Sequence, residues 1–447
     1  MSDLLDPLFG DPEVGAHFTD LAQLQAMLDV EVALAEALAE VGMIPESAVA
    51  AITQAARAES FDRAALARGT ARSGNLAIPM VVELTARVAA IDAAAAHSVH
   101  RGATSQDILD TGLVLQLRGA VAAIVRRLAR AEDTAADLAR RHRDAVMPGR
   151  TWLQHATPVT FGFKAAGWCD GLGRVRARVA DAGSAATVLQ FGGASGTLAA
   201  LGDRGLAVAE ALGSRLALPV PAIPWHAHRD RLVNLGCALG LATGVLGKIG
   251  RDIALLAQTE VAEATEADPG GSSTMPQKRN PIAASVAIAA AIRAPGLVAT
   301  LLAAMTQEHE RGIGGWQAEW ETLPALVRLT GGAARAIADA LEALVVDPGR
   351  MRANLELSNG LIHAEAVATA LAAKIGKPRA QALVTDACRR AARDGDHLRI
   401  VVAADPEISA QLPADELDTL FEAARYLGST ATLIDRVLGQ RGPTPNA

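Results

Sequence analysis

Aromatic side chains are scarce in this chain: Phe, Trp and Tyr together make 3% of 447 residues, with a single tyrosine. Their place is taken by alanine, the best helix former, whose small side chain lets helices approach closely. There is no basic excess. The formal net charge is -7, and no basic patch stands out, which argues against a nucleic-acid partner. No stretch offers about 20 consecutive apolar residues free of charge, so no membrane span is expected. The start, Met1-Ser2-Asp3, lacks the basic and apolar regions of a signal peptide. Cysteine is rare too. Cys169, Cys237 and Cys388 are far apart and lack metal spacing, and they read as small buried hydrophobes in a reducing cytoplasm. No His, Asp and Glu cluster has ligand spacing, so no metal is expected. His226 and His228, near Trp225, lack a third ligand and read as a solvated loop or a substrate contact.

What is present is helical periodicity. Half of the residues are hydrophobic and 20% are charged, enough for a large core. Apolar residues recur at Val114, Leu117, Val121, Ile124, Leu128 and Ala131. The same steps of 3 and 4 join Phe161, Ala165, Trp168, Leu172, Val175 and Val179, and again Leu235, Leu239, Ala242, Leu246, Ile249, Ile253 and Leu256. Alternating 3 and 4 is the seam of helices packed nearly parallel. No strand alternation competes with it, beyond a short extended piece at Val146-Met147. The fold class is therefore all-α, in three domains: an N-terminal helical domain (1–108), a central long-helix bundle (109–346) and a C-terminal helical domain (347–447), set off by Asp347-Pro348-Gly349. Seams this long leave apolar surface uncovered in one chain and favour oligomerisation. The tail from Arg441 to Ala447 is expected to fray.

Four polar segments interrupt the apolar pattern. The most informative is Gly270-Gly271-Ser272-Ser273-Thr274-Met275-Pro276-Gln277-Lys278-Arg279-Asn280-Pro281. Its glycines and prolines deny it helix or strand. Its dense donors suit a mobile loop closing over a small anion. The second is His100-Arg101-Gly102-Ala103-Thr104-Ser105-Gln106-Asp107, just before a long helix. Thr104 or Ser105 there presents a hydroxyl near a helix N-terminus that favours carboxylates, or Ser105 is simply a cap. The third is Gly149-Arg150-Thr151-Trp152-Leu153-Gln154-His155-Ala156-Thr157-Pro158-Val159-Thr160-Phe161-Gly162, read as opening the second long helix. The fourth is Gln307-Glu308-His309-Glu310-Arg311, followed by Gly314-Gly315-Trp316-Gln317.

Gly271 to Asn280 matches Gly-Ser-Ser-x-Met-Pro-x-Lys-x-Asn at every fixed position. That pattern resembles the signature of the fumarase/aspartase superfamily, and the resemblance extends over essentially the whole chain. It implies an enzyme of three all-α domains, without a cofactor, acting on a small carboxylate substrate as a homotetramer. Three shared segments from three subunits then meet in one site. Carried over, Ser272 is the catalytic serine. Thr104 and Ser105 bind a substrate carboxylate, as do Lys278 and Asn280, and Arg311 is a further anion contact. Thr151, Trp152, Gln154 and His155 come from the second shared segment and face substrate. A serine base is far too weak an acid at its free pKa, so loop N–H groups and Lys278 must stabilise its alkoxide.

One position departs from the pattern. Superfamily members that release an amine or water usually carry His directly after the Thr of the second segment, where it protonates the leaving group. This chain has Trp152, which cannot transfer a proton. A carboxylate, with a pKa of about 4, departs or attacks unprotonated at neutral pH, and an intramolecular carboxylate makes or opens a lactone. Together with Leu189 to Leu198 and Gly314 to Trp320, this resembles the 3-carboxy-cis,cis-muconate cycloisomerase branch, whose reaction joins a carboxylate of a small tricarboxylate to its own double bond. His155 stays open as a displaced acid one helical turn away. The rival reading is an adenylosuccinate lyase-type C–N lyase, against which Trp152 and the 190–198 segment count. A non-catalytic scaffold has no use for a donor-rich mobile loop.

Overall fold

A computed structural model describes residues 4–440. The start at Met1-Ser2-Asp3 and the tail Arg441–Ala447, on which the leader and fraying expectations fall, lie outside the described residues. Helices dominate: α1 (Asp20–Glu40), α2 (Ser105–Arg141), α3 (Phe161–Ala186), α4 (Asp230–Leu256), α5 (Ile282–Ala304) and α6 (Gly315–Glu342) are the long ones. At 37 residues α2 is about 55 Å long at 1.5 Å per residue. Every seam residue named above in α2, α3 and α4 is buried. The 3-and-4 spacing therefore marks the packed faces of these helices, as a bundle requires.

The chain divides into two compact units, and each division falls inside one of the long helices. The first unit comprises 1–128, 174–247 and 286–336; the second comprises 129–173, 248–285 and 337–447. In the first, α4 lies close against α5. A Cβ on Gly240 would fall 2.8 Å from Val298, and one on Gly247 would fall 2.3 Å from the Ala291 Cβ. Any side chain at either position pushes the helices apart. In the second, helices Ala364–Ile375 and Lys377–Asp394 pack on each other, around an apolar cluster that includes Val367, Leu371, Val384, Val402 and Leu412.

Two short antiparallel ribbons also belong to the second unit. Strand β1 (Val146–Thr151) pairs with β2 (Gln154–Thr160), and β3 (Ala264–Glu266) pairs with β4 (Leu344–Val346). The first ribbon corrects the expectation for this segment. The stretch from Gly149 to Thr160 is not the first turn of a long helix; α3 begins only at Phe161. Pro148 and Pro158 face each other across the ribbon. A proline has no N–H to give a helix and disfavours helical backbone in the residue before it. The short piece expected at Val146-Met147 is thus one end of a hairpin.

A second correction concerns apolar length. Among the described residues, three helices are long and apolar enough to cross a membrane by length and composition: Ser105–Arg141, Asp230–Leu256 and Ile282–Ala304. In the first two, 61% of the apolar window is buried within the chain, against 28% in the third. Scattered single charges, such as Arg293 in α5, broke these stretches for a rule demanding none, yet they hardly lower the mean hydropathy.

Candidate active site

In the first unit the site begins at the N-terminus of α2. Thr104 caps this helix and Asp107 is its third residue, so the Asp107 carboxylate accepts the Thr104 N–H at 3.0 Å, half of a capping box. The same buried carboxylate accepts the N–H groups of Gly192 (3.0 Å) and Gly193 (2.9 Å), and pairs with the His226 Nε2 at 2.7 Å. Three separated stretches of chain thus meet on one side chain. Thr104 and Ser105 are half-exposed at this end, where free N–H groups and the helix dipole favour an anion.

One turn further along, Asp110 belongs to a buried ion network. Arg229 is fully buried between Asp110 (2.6 and 3.1 Å) and Glu319 (2.6 and 3.1 Å). Trp316 donates its indole N–H to Asp110 at 3.1 Å, and the Trp225 ring lies 4.8 Å from the guanidinium carbon. Burial alone would lower the Arg229 pKa. The two carboxylates more than reverse this, so the guanidinium stays charged. Gln106 links the network to Arg311. Its amide donates to Asp110 (3.1 Å) and to the His226 carbonyl (2.9 Å), and its oxygen accepts the Arg311 Nε–H at 2.9 Å. The Arg311 guanidinium also donates to the Ala194 carbonyl at 3.1 Å. Arg311, which the family resemblance implies is an anion contact, is thus held by the Gln106 side chain of α2 and by the Ala194 carbonyl.

In the second unit, Thr151, Trp152, Gln154 and His155 all lie at the closed end of the first ribbon. Thr151 pairs with Gln154 and Arg150 with His155, leaving Trp152-Leu153 as a two-residue turn. Both residues have left-handed backbone, φ 52° and 63°, the geometry that twisted hairpins reserve for Asn-Gly. Bulky residues there cost roughly 1–3 kcal/mol each. Trp152 is 98% exposed and Leu153 72%. A strained turn presenting two large apolar side chains is a functional signal. Below it, Arg150 forms a bidentate pair with the buried Glu263 at 2.8 and 2.7 Å, and Asn354 donates to the same carboxylate at 2.8 Å. Burial, helped by Arg150 and opposed by Glu263, holds the His155 imidazole below its ordinary pKa. That direction favours the neutral imidazole, a hydrogen-bonding group. Burial likewise pulls down the amine of Lys164, with Asp252 opposing.

The glycine-rich loop leaves β3 and is tied at its neck. Gly270 and Asn280 exchange backbone hydrogen bonds at 2.9 and 2.8 Å, and the Asn280 side chain donates to the Gly271 carbonyl at 3.0 Å. On one side of the neck, the Glu266 carboxylate accepts the N–H groups of Ala283 and Ala284, at 3.1 and 2.9 Å, at the start of α5. Within the loop, the N–H groups of Thr274 and Met275 donate to the Ser272 Oγ at 3.3 and 3.1 Å. These are donors aimed where a serine alkoxide would carry its charge. Lys278 is exposed at the far side of the loop.

The candidate residues therefore form two groups. Thr104, Ser105 and Arg311 belong to the first unit; Thr151, Trp152, Gln154, His155, Ser272, Lys278 and Asn280 belong to the second. Neither unit holds them all. His226, expected in a solvated loop or on substrate, is instead buried against Asp107. Sequence patterns alone do not single out Asp107, Asp110, Arg229 and Glu319. A signal exists all the same: charges interrupting an apolar helical seam are almost never buried unless paired. Their partners lie 85 to 119 residues away and show only in the fold.

A model of the Lyase family matches residues 10–296, and one of the adenylosuccinate lyase C-terminus matches residues 360–437. The 3-carboxy-cis,cis-muconate cycloisomerase of Pseudomonas aeruginosa is 52% identical, over 98% of this chain and 96% of its own. The nitrosuccinate lyase of Streptomyces davaonensis is 44% identical, over 98% and 94%. The crystal structure of the 3-carboxy-cis,cis-muconate lactonizing enzyme from Pseudomonas putida superposes with a TM-score of 0.93 at 49% identity, covering 98% of each chain. This chain belongs to the Lyase family of the fumarase/aspartase superfamily, in its 3-carboxy-cis,cis-muconate cycloisomerase branch.

Proposed function

We propose that this chain closes 3-carboxy-cis,cis-muconate to 4-carboxymuconolactone, a step of aromatic catabolism. The observation that carries the reading is Trp152. It holds the hairpin turn where other superfamily members place a leaving-group acid, and its indole has no proton to transfer. In the lactonising direction a substrate carboxylate oxygen adds to the double bond. The displaced electron pair moves to the carbon beside a second carboxylate, as an aci-carboxylate. The Ser272 hydroxyl delivers a proton to that carbon, and solvent restores the serine. Thr274 and Met275 N–H groups support the transient alkoxide. Thr104, Ser105, Lys278, Asn280 and Arg311 hold carboxylates, with Thr151, Gln154 and His155 lining the substrate. No cofactor takes part, and no metal, nucleic acid or membrane is needed; the setting is the cytoplasm.

The site is completed by assembly into a homotetramer. Its support is that neither unit carries every candidate residue. In addition, α5 exposes Ile292 and Leu302, and the Trp152-Leu153 turn stands open. The C-terminal segment 347–447, with its own apolar cluster, is read as a separate domain after 1–108 and 109–346. The second reading, an adenylosuccinate lyase-type C–N lyase, rests on the family match over residues 360–437. Purified protein given 3-carboxymuconate, adenylosuccinate or nitrosuccinate, followed by ultraviolet absorbance, separates them. Loss of the diene band with the first substrate alone is expected; fumarate formation from either of the others, with the first untouched, overturns the lactone assignment.

A further inference from the structure

We infer that Asp107 and His226 are positioning residues that hold the carboxylate-binding end of α2, and Arg311 with it, against the turn at residues 189–198. This rests on the functional reading above for what is bound, and on geometry for how it is held. A helix-capping Asp needs one contact, and here the Thr104 N–H supplies it. The other three donors on the Asp107 carboxylate, from Gly192, Gly193 and His226, have nothing to do with capping. They bind the 189–198 turn and the 225–229 stretch to the helix end.

The fit leaves no slack. A Cβ on Gly192 would lie 2.8 Å from Pro224 and 2.9 Å from the His226 Cε1; one on Gly193 would lie 2.9 Å from the Gly102 carbonyl oxygen, and Gly193 has φ 71°. The turn backbone thus lies directly on the segment leading into Thr104. From that turn the Ala194 carbonyl receives the Arg311 guanidinium. Gln106, whose amide donates to the His226 carbonyl, receives the Arg311 Nε–H. These ties on Arg311 and on the Thr104 backbone all run through Asp107, His226 or their immediate neighbours. Neither Asp107 nor His226 is itself exposed, so neither touches substrate. A carboxylate is an acceptor only, so the His226 Nε2 carries the hydrogen. With the imidazole gone, one Asp107 oxygen keeps the Gly192 N–H alone. The turn and Arg311 are then free to shift, and misplaced anion contacts weaken binding far more than they affect the proton step at Ser272.

The test uses the full-length protein and two readouts: steady-state kinetics with 3-carboxymuconate, and calorimetric binding of tricarballylate, a tricarboxylate with no double bond to react. His226→Phe should raise KM and the tricarballylate dissociation constant about 10- to 100-fold, with kcat changed only a few-fold. His226→Gln, whose Nε2 amide can reach the same carboxylate, should restore both toward wild type. A merely structural role would lower kcat with KM and would not be rescued by the amide. If His226→Phe does not fold, His226→Asn, polar but too short to reach Asp107, carries the same expectation. Wild-type KM and tricarballylate affinity in a folded variant lacking the Nε2 donor would overturn the inference, and so would a wild type that binds no tricarballylate. A wild type that binds tricarballylate but does not turn over 3-carboxymuconate would sink the functional reading instead, and the binding readout would still decide this one.

Discussion

The two units hold their candidate site residues by opposite means. In the first, Thr104, Ser105 and Arg311 stand on a buried framework in which Asp107, Asp110, Arg229 and Glu319 satisfy one another and their neighbours. In the second, Ser272 and Trp152 stand on a loop and a turn tied at their stems by Asn280, Glu266 and Glu263. The difference teaches where precision and movement are divided. Groups that hold fixed charges of a substrate benefit from rigidity, because anion contacts depend on distance. Groups that transfer a proton or close over substrate need freedom to arrive, and loops supply it.

The largest expected effect tests the loop side. Ser272→Ala should lower kcat by about 10²- to 10⁴-fold, the usual worth of a positioned proton-transfer group, while tricarballylate still binds; near-normal turnover would remove Ser272 from its role. Next comes the rigid side. Arg229→Met leaves Asp110 and Glu319 buried without their common cation, and breaking a buried pair costs about 3–5 kcal/mol. Chemical denaturation should show that loss, whereas an unchanged midpoint would mean the network is not stabilising as drawn. A smaller effect sharpens the contrast inside the hairpin. Trp152→His should reduce lactonisation about ten- to a hundredfold, roughly 1.4–2.7 kcal/mol of barrier, while His155→Gln is tolerated. The His155 imidazole should titrate below 6.5 by nuclear magnetic resonance, since burial and Arg150 depress it. The reverse pattern, a nearly dead His155→Gln and a neutral Trp152→His, would make His155 the displaced acid.

The smallest effect concerns His100, beside the binding end of α2. It contacts the buried Glu31 at 2.6 Å. Burial works to lower its pKa, but Glu31 outweighs burial and the net direction is up. A raised folded-state pKa stabilises fully below the unfolded value, near 6.5, and that stability is lost as pH rises through the folded value. Glu31→Gln should therefore lower the melting temperature more at pH 6 than at pH 9. Equal losses at both would show that the pair is not charged.

The helices and the signature loop are legible in the amino-acid sequence, for physical reasons. A 3-and-4 repeat of apolar residues can bury itself only as a helix face, and every seam residue named is buried. Gly, Ser, Lys and Asn at fixed spacing identify a donor loop wherever it sits. The hairpin at 146–160 is not legible there. Its alternation is weak, and its turn residues, Trp152 and Leu153, are ones that a two-residue turn ordinarily excludes; it shows only in the pairing of 146–151 with 154–160. The buried network is not legible either. Asp107, Asp110, Arg229 and Glu319 are ordinary charges in sequence, and their value depends on long-range proximity that no local pattern encodes. The sequence by itself determined where the long helical seams run, where the donor-rich loop with Ser272 stands, and that position 152 carries an indole with no proton to transfer, because propensity and residue chemistry are local. The tertiary structure decided which charges are buried together and which candidate residues share a unit, because pairing energies exist only once distant segments meet.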